Sequence, residues 1–135
     1  MDDLFLKIIK GELSSEKIYE DKDTFAFLDI NPSNHGHTLV VPKKHSENIY
    51  SIDEKALASM MKTVRKLAPA IKKALKADGI HIMMNNDPAA GQIVFHSHIH
   101  IVPRFEGDSF KHWKKRVSYK DGEIGKVGEK IRSEL

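Results

Sequence analysis

The sequence predicts an α+β fold, with a mainly antiparallel sheet of about five strands, one long helix and short terminal helices. Three observations carry that prediction. Short runs of β-branched and aromatic residues occur in neighbouring groups separated by turn residues, as in hairpins. One long stretch, from Ser51 to Asp78-Gly79, sustains helical periodicity over many turns. The strands cluster into hairpins around that helix, a pattern that favours antiparallel pairing.

Each element follows from its residues. Leu4, Phe5, Ile8 and Ile9 stand at helical spacing within residues 2–10, and Gly11 supplies a stop. Residues 17–21 and 24–30 read as two strands of a hairpin, with Asp21-Lys22-Asp23 as the turn. Residues 31–36, Asn-Pro-Ser-Asn-His-Gly, read as a loop, and residues 37–41 as an apolar strand ended by Pro42, which has no N–H to donate. Ser51 and Glu54 match a capping box for the long helix, along which Leu57, Met60, Met61, Val64, Leu67, Ala68, Ile71 and Leu75 keep one apolar face. Pro69 inside it predicts a kink. Residues 80–85 and 94–102 read as strands of a long-looped hairpin around a Gly/Pro-containing loop at 86–91, and a terminal helix is expected from about Glu123, with Ile124, Val127, Ile131 and Leu135 on one face.

Composition narrows the class of protein. A chain of 135 residues with 40% hydrophobic and 30% charged residues is long enough for one core, and residues 1–135 are expected to form a single domain without repeats or linkers. Cysteine is absent, which excludes disulfides and thiolate chemistry and fits a reducing compartment. The N-terminus carries Asp2 and Asp3 rather than a basic region before an apolar stretch, and no apolar run approaches a membrane span, so a cytoplasmic protein without membrane attachment is expected. A net charge of +3 falls short of a nucleic-acid signature.

The most informative segment is Val94-Phe95-His96-Ser97-His98-Ile99-His100-Ile101-Val102-Pro103-Arg104. Read as a strand, it places the imidazoles of His96, His98 and His100 on one face and Ser97, Ile99 and Ile101 on the other. A row of imidazoles is poor core material, whereas near neutral pH it offers a nucleophile, a proton carrier and hydrogen-bond donors together. At a rise of roughly 3.3 Å per residue the outer two lie about 13 Å apart, too far for all three to share one metal. The row suits an extended substrate such as a phosphate chain. Gly91, in the loop entering this segment, lets backbone N–H groups approach an anion, or is an ordinary loop glycine. Asp29, closing Leu28-Asp29-Ile30, either accepts hydrogen bonds from a ribose diol or caps the following turn, the turn being the default.

The run His96-Ser97-His98-Ile99-His100-Ile101-Val102 resembles the signature of the histidine triad (HIT) family, His-x-His-x-His followed by two apolar residues. Residues 3–9, 27–30, 37–45 and Gly91-Gln92 also resemble family segments in order and spacing, so the resemblance covers roughly residues 2–108 and leaves about 109–135 as a C-terminal extension. It implies a nucleotide-binding homodimer with a sheet continuous across the interface. By position, His98 would be the nucleophile that attacks the α-phosphorus, His96 and His100 would flank it, and His37 would support them through a hydrogen bond. Phe5, Ile8, Leu28, Ile30 and Leu39 would line the base pocket, with core packing an equal reading for each. Asp29 would hold the ribose, and Asn85 with the backbone of Gly91, Gln92, Ile93 and Val94 would contact phosphate.

Two departures from the family pattern matter. Many bacterial members carry Cys-x-x-Cys near the N-terminus which, with histidines matching His45 and His96, binds structural zinc. Here those positions are Asp3 and Leu6, so that zinc site is expected to be lost and no metal or other cofactor is expected. Ile93 stands where nucleoside phosphoramidase members place a serine that assists the leaving group.

The resemblance implies an enzyme, a purine-nucleotide hydrolase acting on a phosphoramidate or related conjugate through a covalent nucleotidyl-histidine and releasing a nucleoside monophosphate. The alternatives are a dinucleoside polyphosphate hydrolase, suggested by Pro103-Arg104, and a nucleotide-binding scaffold with little catalysis. The family's nucleotidyltransferases carry glutamine at the third triad position, so His100 favours transfer to water. A DNA-end processing role rests on the basic run Lys111-His112-Trp113-Lys114-Lys115-Arg116, for which a solvated segment with Trp113 packed at the dimer is the preferred reading.

Overall fold

A computed structural model describes residues 3–110 and 116–135, so that all but Arg116 of the basic run around Trp113 lies outside the described residues. The elements run α1 (Leu4–Ile9), β1 (Lys17–Glu20), β2 (Thr24–Leu28), β3 (Thr38–Pro42), α2 (Glu54–Leu75), β4 (Gly79–Met83), a short 3-10 turn at Pro88–Ala90, β5 (Ile99–Arg104) and α3 (Glu123–Ser133). All five strands pair antiparallel in one sheet, in the order β1-β2-β3-β5-β4. The α+β class, the strand count and the long helix agree with the sequence expectation.

Alternation along the central strands gives the sheet two different faces. Ala26, Val40, Ile99 and Ile101 point to one side, where Met60, Val64, Leu67 and Ile71 of α2 cover them. Thr24 and Thr63 tie the two layers through a buried 2.7 Å hydroxyl hydrogen bond. Phe25, Phe27, Leu39 and Val41 point to the other side and pack on Phe5 of α1, with Ile8, Ile9 and Val94 around them. Burying each such side chain contributes roughly 1.5–3 kcal/mol. The register aligns Phe27 with Leu39 and Leu39 with His100, which puts His100 on the α1 face.

Three boundaries differ from the sequence reading. The cap of α2 is Asp53, whose carboxylate accepts from the Ala56 N–H at 2.8 Å, and not Ser51. The Ser51 hydroxyl instead accepts from the N–H groups of Glu47 and Asn48 in the preceding turn. The helix continues through Pro69 and closes at Lys76, in the left-handed region with φ 52°, which frees Gly79 to open β4. The second strand of the histidine hairpin, β5, begins at Ile99, five residues later than expected, because the chain before it bonds to a different partner. Ser97 N–H donates to the Ser46 carbonyl at 2.7 Å, and the Pro42 carbonyl accepts from His96. Only His100 therefore lies within a strand.

Candidate active site

The imidazoles form a connected line on the α1 face of the sheet. Ring centroids are 5.2 Å apart for His45 and His96, 4.9 Å for His98 and His100, and 5.1 Å for His37 and His100, while the Phe5 ring stands edge-on to His96 and His98 at 5.8 and 5.0 Å. The grouping expected from alternation is present even though β5 is short, but the three histidines do different things.

Hydrogen bonds settle which nitrogens carry hydrogen. Ser33 N–H donates to His37 Nδ1 at 3.1 Å, so the His37 hydrogen is on Nε2. That Nε2 lies 2.9 Å from His100 Nδ1 and donates to it, which leaves His100 with its hydrogen on Nε2. The His100 Nε2 is buried and has no partner among the described residues. A buried donor without an acceptor is costly, and a substrate oxygen would satisfy it. His98 is held the other way round. Its Nδ1–H donates to the His96 carbonyl at 2.7 Å, and no described hydrogen bond engages Nε2, which therefore carries a lone pair. One backbone amide and one backbone carbonyl thus set an N–H donor and a lone pair side by side.

Burial keeps these rings neutral. It lowers the pKa of His98 below 6.5, against the hydrogen bond to the His96 carbonyl and the charges of Asp29 and Asp3. Burial, with His98 and His37 nearby, takes His100 down to about 4, and burial lowers His37 against the pull of Asp29. Near neutral pH all three are free bases.

His96 is different. It is 0% exposed, with Nδ1 2.7 Å from Asp3 Oδ2 and Nε2 2.8 Å from the Pro42 carbonyl oxygen, so neither nitrogen is available to a substrate. It meets His98 through its backbone carbonyl.

The remaining expected residues fall into three groups. Phe5 and Leu39 are core residues, Ile8 packs beside them, and Leu28 is half-buried at the end of β2, whereas Ile30 is 88% exposed and has no core role. Asp29 serves its turn with Oδ1, accepting from the Asn31 N–H at 2.8 Å, and turns Oδ2 towards His37 Nε2 at 3.8 Å. In the loop before the triad, Gln92 is buried and spends its side chain on the backbone of Asp87, Glu47 and Val94. Gly91, at φ 89°, passes so close to Asn85 that an added Cβ would lie 3.4 Å from Asn85 Nδ2. Ile93 is 86% exposed. Arg104 is committed to Asp108 at 2.6 Å.

Two groups of residues bring metal-ligating atoms together, Asp3-His45-His96 and Asp29-His37-His100, each with its atoms within 4.8 Å. Asp3 entered the sequence reading as an acidic N-terminal residue and a missing cysteine, with no site role of its own. Its place before an amphipathic helix marks a cap, but its contact with a histidine far along the chain leaves no local signal.

A neutral imidazole with a free nitrogen, beside a buried donor seeking an acceptor, defines a protein of the histidine-triad class. The HIT domain matches residues 10–107. An uncharacterised HIT-like protein of Methanocaldococcus jannaschii is 46% identical over 126 residues, covering 93% of this chain and 87% of that protein. An adenylylsulfatase of Arabidopsis thaliana is 43% identical over 107 residues, covering 79% of this chain and 54% of that one. The crystal structure of a HIT family member from Bacillus subtilis superposes with a TM-score of 0.92 at 38% identity, covering 100% of this chain and 98% of that chain. The chain belongs to the HIT family, which includes hydrolases such as the adenylylsulfatase.

Proposed function

We propose that the protein hydrolyses purine nucleotides at the α-phosphate, with His98 as the nucleophile. The observation that carries this reading is the hydrogen-bond pattern that leaves a lone pair on His98 Nε2 and a hydrogen on His100 Nε2. Nε2 of His98 attacks the α-phosphorus, a P–N bond forms, and the bond to the leaving group breaks with its electron pair passing to that group. The Nε2–H of His100 stabilises charge on the phosphoryl region, an electrostatic contribution that is large in a dry site. Water then attacks the nucleotidyl-histidine, returning free His98 and a nucleoside monophosphate. The exposed Ile30 and half-buried Leu28 suit base contact better than the buried Phe5 and Leu39. Asp29 Oδ2, turned towards His37, would take the ribose, and of the loop before the triad Ile93 and Val94 are left to offer backbone N–H groups to phosphate, because those of Gly91 and Gln92 donate to the Pro88 and Asp87 carbonyls.

The leaving group is an amine, an acyl group or sulfate; the adenylylsulfatase relative adds the last. No hydroxyl stands at Ile93, which argues against efficient release of an amine. Arg104 is held by Asp108 through Nη2, with its Nε buried, which gives no support to a dinucleoside polyphosphate substrate. The reading includes a homodimer, since β4 is an edge strand with Ile82 and Met83 exposed, a cytoplasmic location, and a C-terminal extension over about 109–135. Among the described residues no helix is long and apolar enough to cross a membrane.

The test is His98→Ala assayed on adenosine and guanosine phosphoramidates, acyl adenylates and adenylyl sulfate. Turnover is expected to fall by at least about 10³-fold with nucleotide binding retained. Unchanged turnover rejects the mechanism.

A further inference from the structure

The helix α2 spends one side on the core, through Met60, Val64, Leu67 and Ile71, and its solvent side is basic. Residues 54–76 hold seven of the 22 Lys and Arg but one of the 19 Asp and Glu, so this segment stands at +6 and the rest of the chain at −3. The overall charge of +3 hides that separation. All seven cations are exposed. Lys66 lies 4.8 Å over the Tyr19 ring, and none of the seven has an ion-pair partner among the described residues. Lys62 with Lys66 and Lys72 with Lys76 are like charges one turn apart, an arrangement that costs a helix stability. A soluble surface ordinarily mixes its signs, and a face of one sign serves to draw the opposite charge.

The cations are ordered along the helix. Lys55, Lys62, Lys66 and Lys73 recur at steps of seven, four and seven residues, which at roughly 3.6 residues per turn makes one row about 27 Å long. Arg65 and Lys72 form a second row about a quarter turn round, which Lys76 extends at the end of the helix. Between the rows lie Ala58 and Pro69, too small to hold a partner off. This face is opposite to the imidazoles, because α2 covers the side of the sheet that carries Val40, Ile99 and Ile101, whereas His98 stands against Phe5 on the α1 side.

We propose that the outer face of α2 binds the phosphate backbone of a nucleic-acid duplex, without regard to base sequence. A duplex carries one negative charge for about every 1.7 Å of its axis, so a row of about 27 Å meets roughly 16 phosphates, enough to pair every cation. Six of the seven are lysines, point charges that neutralise phosphate but lack the fork with which arginine reads guanine. Other polyanions fit this face less well. Residues 54–76 contain no aromatic ring on which the bases of a single strand could stack. The apolar side that an amphipathic helix would sink into a membrane is already buried in the core. A second copy laid face to face would set seven cations against seven.

Fluorescence anisotropy of a labelled DNA duplex of about 20 base pairs, titrated with the full-length protein, tests the site. Binding is expected in the micromolar range at about 50 mM salt and equal within about twofold for two unrelated sequences. Its log K is expected to fall with log salt at a slope of about −4 to −6, which corresponds to roughly four to seven neutralised phosphates. The triple variant Lys62→Glu, Arg65→Glu, Lys73→Glu changes exposed positions to a residue that favours a helix about equally, and is expected to weaken binding by about tenfold or more. The same reversal at Lys111, Lys114 and Lys115 is expected to change affinity less than about threefold. No binding at about 100 μM protein in low salt, or a helix variant that binds as the wild type does, overturns the proposal. So does tighter binding to phosphatidylserine vesicles or polyglutamate than to the duplex, or a larger loss from the reversal at Lys111, Lys114 and Lys115 than from the helix variant. Should the triple variant not fold, Lys62→Gln with Arg65→Gln is expected to weaken binding about fivefold, and an unchanged affinity there overturns the site. Duplex binding involves no turnover, so its outcome is independent of the hydrolase reading.

Discussion

His98 and His100 differ by two positions, share a residue type and face opposite tasks because of what touches their Nδ1 atoms. A backbone carbonyl makes one a lone-pair donor, and a neighbouring imidazole makes the other an N–H donor. The same burial that keeps them neutral links stability to pH. The unfolded chain protonates its histidines near the ordinary value of 6.5, whereas folded His100 takes up a proton only at about 4 and His37 and His98 also lie below 6.5. Between those values the unfolded state binds more protons, so this contribution is fully present above pH 6.5 and is lost as pH falls towards 4. Urea midpoints measured across that range are expected to decline before the carboxylates titrate; a midpoint that stays level from pH 7 to 4.5 contradicts the neutral-ring assignment.

Elements determine where these side chains stand. The loop from Asp29 to Gly36 must return β3 so that His37 meets His100, and it does so at Gly36, with φ 95°. An added Cβ there would lie 2.9 Å from Leu75 Cγ, at the end of α2. Gly36→Ala therefore carries both backbone strain and a clash, and an expected loss of about 1–3 kcal/mol in denaturant unfolding, with weaker turnover than stability alone explains. Stability within about 0.3 kcal/mol of wild type would show that the loop has other routes to the same end. The capping and strand-start differences have separate causes. Ser51 is taken by its own turn at Glu47 and Asn48, whereas His96 and Ser97 bond to Pro42 and Ser46, a long-range choice that outweighs local pattern.

For the whole molecule, the open question in the fold is the free edge of β4. Edge strands present unpaired N–H and C=O groups, and here exposed Ile82 and Met83 accompany them. Pairing with a second copy would satisfy both. Sedimentation is expected to give about twice the 15.3 kDa chain mass at micromolar concentration; a monomer at that concentration removes the continuous-sheet dimer from the proposed function. The α3 helix, expected to carry Ile124, Val127, Ile131 and Leu135 on one face, leaves Ile124, Ile131 and Leu135 exposed.

Alternation and periodicity are local properties of a chain, and they sufficed for the α+β class, the hairpins, the long helix and the gathering of three imidazoles on one side of a sheet. The triad's spacing was equally legible, because side chains two apart on extended backbone cannot avoid one another's face. What the imidazoles do was not legible. Their hydrogen bonds are made by Ser33, Asp3, Pro42 and the His96 carbonyl, two of them, Asp3 and Pro42, remote in sequence from the ring they serve, and hydrogen bonds formed at that distance exist only once the chain has folded. The sequence determined which groups would meet. The tertiary structure decided which of them keeps a free ring nitrogen, which holds a buried nitrogen without a partner among the described residues, and which is buried between Asp3 and the Pro42 carbonyl.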